Sequence, residues 1–528
     1  MVQIQQYFLI ILLAGAAPLS AQKFYPDDPL WKEPPPLPVD HAAVRDINDY
    51  YDFFLNTFFE PNKKEIQHHA PCPSQATNTL GEVPDSPWFT NRIGSHPMSL
   101  ADLVRGPGDA NPPAMDRPWI VLSGKNQGIS PGLVVLDSRG RKYFLKFDPP
   151  SNPEMASAAD VIGSKFLFDI GYNTPENYIV TFAPGQLALD DRSMFKDAVG
   201  HTRPMTRQDV RDVLKKVPRA PDGRYRALAS LNIPGRAIGP FRYSGTRSDD
   251  PNDIVDHQNR RDLRGLYVFF AWINHTDAKS INSLDSLVDD RGMRYIRHYL
   301  IDFGDSLGSD TDAPKNPRRG HAYIFQFKPA VEQFASLGLQ VPAWMRARYP
   351  HIPEIGNFDY QTFDPEHWYS NYQNPAFDLR TPGDEYWAAK KVMAFSDEAI
   401  RAIVATGQYG DPRAAEWAVR CLVERRNRIG YAFFKDVLPL DQFEVRNGKL
   451  VFEDLAVKYR FREPQRYAVR WFSFDNQSGQ RAPIANARGF ELPRSATPFL
   501  LAEIRSGDPG KSVDVYLRGL RVIGIDRH

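Results

Sequence analysis

Residues 274–285 read N-H-T-D-A-K-S-I-N-S-L-D, and residues 299–305 read Y-L-I-D-F-G-D. Each cluster of polar and ionisable groups follows an apolar run. The first carries His275, Asp277, Lys279 and Asn282; the second carries Asp302, followed by Phe303 and Gly304. These residue types suit metal-assisted phosphoryl transfer. That chemistry needs oxygen ligands for magnesium, a cation near the transferred phosphate, and a carboxylate facing the acceptor hydroxyl. Asn282 and Asp302 can supply the metal-binding oxygens. Lys279 can supply the cation and Asp277 the carboxylate.

The spacing H-x-D-x-K-x-x-N, followed by D-F-G, resembles the catalytic loop and metal-binding motif of the protein-kinase-like superfamily. All four fixed positions of the loop match. The gap between the two motifs is longer than in ordinary protein kinases. D-D-R-G, Asp289 to Gly292, is expected to turn an extended hairpin across that gap. The A-P-E that closes the activation segment of ordinary protein kinases is absent at a comparable position, which weakens the case for a protein substrate. The chain looks closer to atypical members, such as the secreted spore-coat and toxin-type kinases. By that resemblance Asp277 and Lys279 are catalytic, Asn282 and Asp302 hold metal, and His275 braces the loop.

Upstream, W-I-V-L-S-G-K from Trp119, L-V-V-L-D-S-R-G from Leu133 and R-K-Y-F-L-K-F from Arg141 read as strands separated by glycine-bearing turns. A glycine turn followed by a strand with an internal lysine is similar to the nucleotide-binding lobe of kinases. Lys146 would then reach the α- and β-phosphates. The turn has Gly124, Gly128 and Gly132, not the G-x-G-x-x-G of protein kinases; by the resemblance Gly124 and Gly128 contact the nucleotide. The next helix has Met155, Ala158, Ala159, Ile162, Phe166 and Ile170 on one face and stops at Gly171. In kinase-like folds this helix carries an acidic partner for the lysine. Glu154 and Asp160 compete for that role: Glu154 has the reach and the usual residue type and ranks slightly ahead, while Asp160 is better placed along the helix.

A chain of 528 residues exceeds what one core usually holds. A formal net charge of +1 gives no global drive toward nucleic acid or anionic membrane. The apolar run Tyr7 to Ala17, followed by P-L-S-A-Q, reads as a secretory signal cleaved near Ala21. It is too short for a comfortable membrane span. The mature chain is therefore expected to be secreted or periplasmic, without a transmembrane anchor. Of two cysteines, Cys421 sits in a helical pattern beside Trp417, Ala418 and Leu422 and reads as a buried free thiol rather than a partner of Cys72.

The expected organisation is a signal peptide at 1–21, a Pro-rich arm and helix at 22–118, a kinase-like N-lobe at 119–250, a C-lobe at 251–438 and a β-rich domain at 439–528. The helical pattern Val44 to Phe59, with Ile47, Tyr50, Tyr51, Phe54, Leu55 and Phe58, is expected to pack on the main body. Residues 183–250 look like an insertion that also supplies strands near the hinge. Exposed aromatics of the β-rich domain are candidates for sugar or partner binding, with plain packing as the simpler reading. The fold class is α+β: bilobal and protein-kinase-like, with an N-terminal arm and a C-terminal β-rich domain. The function implied by the resemblance is an exported atypical kinase that uses ATP and Mg2+ on a protein, glycan or small-molecule acceptor. Alternatives are an exported pseudokinase-like scaffold and transfer of AMP on the same fold.

Overall fold

A computed structural model describes residues 22–59, 72–109, 111–124, 131–196, 201–325, 341–507 and 510–528. The expected signal peptide and Gly128 lie outside the described residues. The chain divides into two compact units. One comprises the chain up to Pro29 with Leu440–Glu453 and Gln465–His528; the other comprises Leu30–Pro439 and Asp454–Pro464. Among the described residues, no helix is long and apolar enough to cross a membrane.

In the larger unit the first strands are β1 (Trp119–Gly124), β2 (Gly132–Leu136), β3 (Lys142–Lys146), β4 (Asn177–Phe182) and β5 (Leu187–Ala188). A small ribbon of β6 (Met194–Lys196) and β7 (Thr202–Pro204) follows, then β8 (Tyr225–Leu231). Six of these form one sheet in the order β4-β8-β3-β2-β1-β5. Strand side chains alternate between faces. Trp119, Val121, Leu133, Val135, Tyr143, Leu145, Val180, Phe182, Ala227 and Ala229 bury one face in a common core. That alternation turns Lys142, Phe144 and Lys146 to the other face. The stretch 183–250 supplies strands as expected, and one of them is integral to the sheet rather than inserted. Residues Tyr225–Leu231 pair with both β3 and β4, so they form an internal strand of the sheet. Their small residues, Ala227 and Ala229, let the neighbouring side chains close over them.

Two further strands, β10 (Ser283–Asp290) and β11 (Met293–Leu300), form a long hairpin whose edge pairs with the short β9 (Arg236–Ala237). The helices of this unit are α1 (Asp49–Phe54), α2 (Leu100–Arg105), α3 (Met155–Ile170), α4 (Arg207–Leu214), α5 (Arg261–Ile273), α6 (Pro375–Asp378), α7 (Pro382–Met393), α8 (Asp397–Ala405) and α9 (Pro412–Phe434). A second hydrophobic core joins α3, α5 and α7 to α9. Helix α5 is buried from Asp262 to Ile273. Arg425 closes its C-terminus, donating to the carbonyls of Ala271 (2.6 Å) and Trp272 (2.9 Å). Asn274 then adopts a left-handed conformation, φ 54°, which ends the helix and releases the loop beginning at His275.

Helix α1 docks the other way round from expectation. Tyr50 (78 % exposed), Tyr51, Phe54, Phe58 and Phe59 (75 %) face outward. Asp52 and Asn56 are buried instead, and Phe53 packs edge-on against Tyr372 at 5.4 Å. The loop aromatics Trp88 and Phe89 are buried. Cys72 and Cys421 are both free thiols, the first exposed and the second buried.

The smaller unit has a hairpin of β12 (Leu440–Arg446) and β13 (Lys449–Asp454) and a sheet of β14 (Ala468–Phe474), β15 (Arg481–Pro483), β16 (Phe499–Arg505), β17 (Ser512–Arg518) and β18 (Arg521–Arg527) in the order β15-β14-β16-β17-β18. Phe24 joins Phe472, Phe474, Leu501, Tyr516 and Ile523 in its core. The aromatics Trp471, Phe472, Phe474 and Tyr516 are therefore packing groups, not an exposed binding face.

Candidate active site

The β10–β11 hairpin brings the two sequence motifs together. Its register runs from Asp290↔Met293 at the turn to Ser283↔Leu300 at the base. Arg291 (φ 55°) and Gly292 (φ 85°) make the turn; two left-handed residues suit the twist of a two-residue hairpin loop. One step past the base, the Ile301 amide donates to the Asn282 carbonyl at 3.0 Å. Asn282 thus lies across from Ile301, the neighbour of Asp302. Asp302 is left-handed, φ 61°, a conformation aspartate tolerates better than most residues. Phe303 anchors it: the ring is fully buried, and its amide donates to Asp160 Oδ1 at 3.3 Å.

Lys146 ends β3 on the face opposite the sheet core. Its Nζ lies 2.9 Å from Asp160 Oδ2 and 2.8 Å from Asp302 Oδ1. Asp160 projects from α3, and its other oxygen accepts from Asn177 Nδ2 at 2.9 Å. Asp160 is therefore the acidic partner of Lys146. Glu154, ranked first from sequence, is engaged elsewhere. It precedes the first turn of α3 in a left-handed conformation, φ 69°, and its carboxylate accepts from the Gly410 amide at 2.6 Å. Burial alone would lower the Lys146 pKa, but the two carboxylates push it up, so the ammonium stays charged. Burial raises the Asp160 pKa; Lys146 pulls it back and the Asp302 charge adds to the rise.

These groups line a cleft of about 700 Å3. That volume suits a small-molecule ligand. Apolar walls come from Leu133, Leu145, Leu231, Ile233, Leu284 and Ile301; Gly124, Lys142, Lys146, Asp160 and Asp302 also line it. The turn after Gly124 lies outside the described residues.

Next to Asp302, the loop after α5 holds its own network. Asn282 Nδ2 donates to the Asp277 carbonyl (2.8 Å) and to Oδ2 (2.9 Å). That leaves the Asn282 oxygen as the atom it can offer a cation. Asn371 Nδ2 donates to Asp277 Oδ1 at 3.3 Å. Lys279 Nζ lies 3.2 Å from Asp277 Oδ1 and 3.3 Å from Asp49 Oδ2. Burial lowers the Lys279 pKa, yet these two carboxylates raise it further. His275 is buried and donates from Nδ1 to the Asp305 carbonyl at 2.8 Å. Burial lowers its pKa to about 4, so the ring is neutral. Buried Lys315 contacts Asp305 and donates to Thr276 Oγ1 at 2.9 Å. Arg261 and Arg264 of α5 are paired with Asp384.

Sequence reasoning missed Asn177, Asn371, Lys315, Asp49 and Asp52. None belongs to a motif, and all but Asp49 and Asp52 carry ordinary polar side chains in irregular stretches or at strand ends. The acidic face of α1 was a usable signal: Asp49, Asp52 and Asn56 recur at helical spacing.

Among the described residues, no three His, Cys, Asp or Glu side chains cluster as a metal site. Magnesium needs no such cage, since it is commonly bound by one or two carboxylates together with substrate phosphates. Asp302, with a side chain 41 % exposed, and the Asn282 oxygen fit that pattern.

Neither the family models nor the curated proteins searched give a match. Several solved structures are similar at low identity. The Helicobacter pylori proinflammatory kinase CtkA is 11 % identical, over 59 % of this chain and 94 % of that one, with a TM-score of 0.32. A Golgi casein kinase with Mn/ADP bound is 9 % identical over 60 % and 72 %, with a TM-score of 0.30. A further Golgi casein kinase structure is 10 % identical over 78 % and 96 %, with a TM-score of 0.29. Likeness of this order decides neither fold nor chemistry.

Proposed function

We propose that the larger unit is a kinase-like phosphotransferase using Mg2+ and ATP. The observation that carries this reading is Lys146, held by Asp160 and Asp302 in the wall of the cleft, with Asn282 bonded across the hairpin base to Ile301, the neighbour of Asp302. The same parts recur in protein kinases: a lysine on the third strand, a helix-borne acid, a D-F-G aspartate and a catalytic-loop asparagine. Here the sheet and the helical core are read as two lobes. The nucleotide would occupy the cleft, whose apolar walls would receive the base and whose Lys146 would receive the phosphates. Asp302 and Asn282 would hold the magnesium, which neutralises charge on the phosphates when bound.

Asp160 keeps Lys146 charged and pointed at the cleft, so the ammonium can exchange Asp302 for phosphate oxygens. Asp277 is clamped by Asn282 and Asn371 and accepts the proton of the acceptor hydroxyl. The acceptor oxygen bonds to the γ-phosphorus as the bond to the bridging oxygen breaks. Lys279 offsets negative charge on the transferred group. Export of the mature chain belongs to the same proposal.

Thermal unfolding with ATP and magnesium tests this. Nucleotide at 100 times its dissociation constant should stabilise by about 2.7 kcal/mol. The shift should need magnesium and vanish in Asp302→Ala. No shift at millimolar ATP would sink the proposal and favour a scaffold. Release of pyrophosphate in place of ADP would replace phosphoryl transfer by AMP transfer.

A further inference from the structure

A segment outside both sequence motifs runs beside the loop that carries Asp277. Residues 368–374 bond to residues 274–278 three times. Trp368 Nε1 donates to Asn274 Oδ1 at 3.0 Å, the Asn371 amide nitrogen to the Thr276 carbonyl at 2.8 Å, and Asn374 Nδ2 to the Ala278 carbonyl at 3.2 Å. Asn371, in the middle, is buried, and its other polar groups are engaged as well. Its carbonyl accepts from the Ile324 amide at 2.8 Å. Its side-chain oxygen accepts from Arg319 Nη1 at 2.8 Å, and its side-chain nitrogen donates to Asp277 Oδ1 at 3.3 Å.

An asparagine amide can be turned either way, exchanging its oxygen and nitrogen. Arg319 removes that freedom. A guanidinium only donates, so Asn371 must offer it the oxygen, and the nitrogen is left for Asp277. With the amide reversed, donor would face donor at Arg319 and oxygen would face oxygen at Asp277. Arg319 is itself held in place: its amide donates to the Asn316 carbonyl at 2.8 Å, and Asp310 lies 3.9 Å from Nη2. The Tyr369 amide donates to the carbonyl of the next residue, Gly320, at 3.0 Å, which ties the two segments together.

The effect reaches the reacting atoms. A carboxylate has about four acceptor positions, two on each oxygen. On Asp277 Oδ1 both are taken, by Asn371 and by Lys279 Nζ at 3.2 Å. Oδ2 accepts from Asn282 Nδ2 at 2.9 Å and, among the described residues, from nothing else. We infer that Asp277 Oδ2 is the oxygen that takes the acceptor's proton, and that Arg319 is a positioning residue that fixes this choice by orienting Asn371. Lys279 fits the same assignment: Asp277 and Asp49 engage two of its three N–H groups, which leaves one for the transferred group. The inference rests on the phosphotransferase reading and adds which oxygen acts and what holds it. With water as acceptor, the water oxygen bonds to the γ-phosphorus and the bond from that phosphorus to the bridging oxygen breaks. The water proton goes to Oδ2, and the products are ADP, phosphate and a proton.

Hydrolysis of ATP with magnesium by the full chain, followed as ADP release, tests this with water as the acceptor. Arg319→Leu and Asn371→Leu should each lower kcat by about tenfold to a hundredfold, as expected when a catalytic group is displaced by up to an ångström. KM for ATP and the magnesium-dependent melting shift should stay as in the wild type. Arg319→Lys keeps a donor for the Asn371 oxygen and should regain most of the rate. Because Arg319 acts through Asn371, the double variant should be no slower than Asn371→Leu alone. Losses that multiply in the double variant would overturn the relay. A melting shift with ATP that disappears along with the rate would show the pair to be structural and overturn the inference. Unchanged kcat in both single variants would also overturn it and leave the phosphotransferase standing. A wild-type chain with neither a melting shift nor ADP release would overturn the phosphotransferase reading, and this inference with it.

Discussion

Replacing Lys146 by methionine should convert a satisfied buried acid into an uncompensated one. Lys146 contacts two carboxylates, but they respond differently. The Asp302 side chain is 41 % exposed and can be hydrated when the lysine is gone; that of Asp160 is 2 % exposed and cannot. Breaking a buried pair by removing one partner costs about 3–5 kcal/mol. Asp160 keeps two donors, Asn177 and the Phe303 amide, so the lower end applies, about 3 kcal/mol at neutral pH. The sign with pH follows from the direction of the Asp160 shift. Its folded pKa is raised by burial, and without Lys146 the main opposing influence is gone. Below the ordinary carboxylate value of about 4, the acid is protonated in both states and the penalty vanishes. As pH rises above that value, the unfolded state ionises first and stability is lost. The deficit of Lys146→Met in a calorimetric melt of the full chain should therefore grow between pH 5 and pH 8. Adding Asp160→Asn should recover about 2 kcal/mol and flatten the pH dependence. A deficit that stays constant with pH, or a double variant worse than the single one, would refute the reasoning.

His275 supplies an opposite slope. Its pKa falls from 6.5 to about 4 on burial, so stability is full above pH 6.5 and is lost as pH drops toward 4, by about 3 kcal/mol. His275→Gln, melted over the same range, should remove that acid-side loss while keeping a donor to Asp305. Gly163→Ala would set a Cβ 2.9 Å from the Cβ of Phe303. Overpacking of this kind costs about 1–3 kcal/mol. Because Phe303 sets Asp302, the magnesium-dependent ATP shift should shrink along with the melting temperature. Lys315→Met removes the contact with Asp305 and the hydrogen bond to Thr276 Oγ1, and a lowered melting temperature is expected in the same melt.

Much of the framework was legible in the chain. Strand patterns located β1 to β3. D-D-R-G turns the hairpin because Arg291 and Gly292 take the left-handed conformations a two-residue loop requires. Gly171 ends α3 as expected. The rest was hidden for identifiable reasons. Strands were expected around Tyr225–Leu231, but nothing local says that a strand reached by a long excursion returns between β3 and β4. Helix α1 was placed with its aromatic face inward because apolar periodicity normally marks the buried side. Here Asp52 meets Ser280 and Asp49 meets Lys279, so the acidic face docks against the loop.

What the sequence by itself determined is local. The spacing of His275, Asp277, Lys279 and Asn282 ahead of Asp302 named the chemical groups, and the two-residue period of β3 turned Lys146 away from Tyr143 and Leu145. Both follow from backbone geometry that operates within a few residues. Only the tertiary structure decided that Asp160, not Glu154, holds Lys146. Glu154 sits in a left-handed residue bonded to Gly410, a contact across 256 positions that no local periodicity encodes.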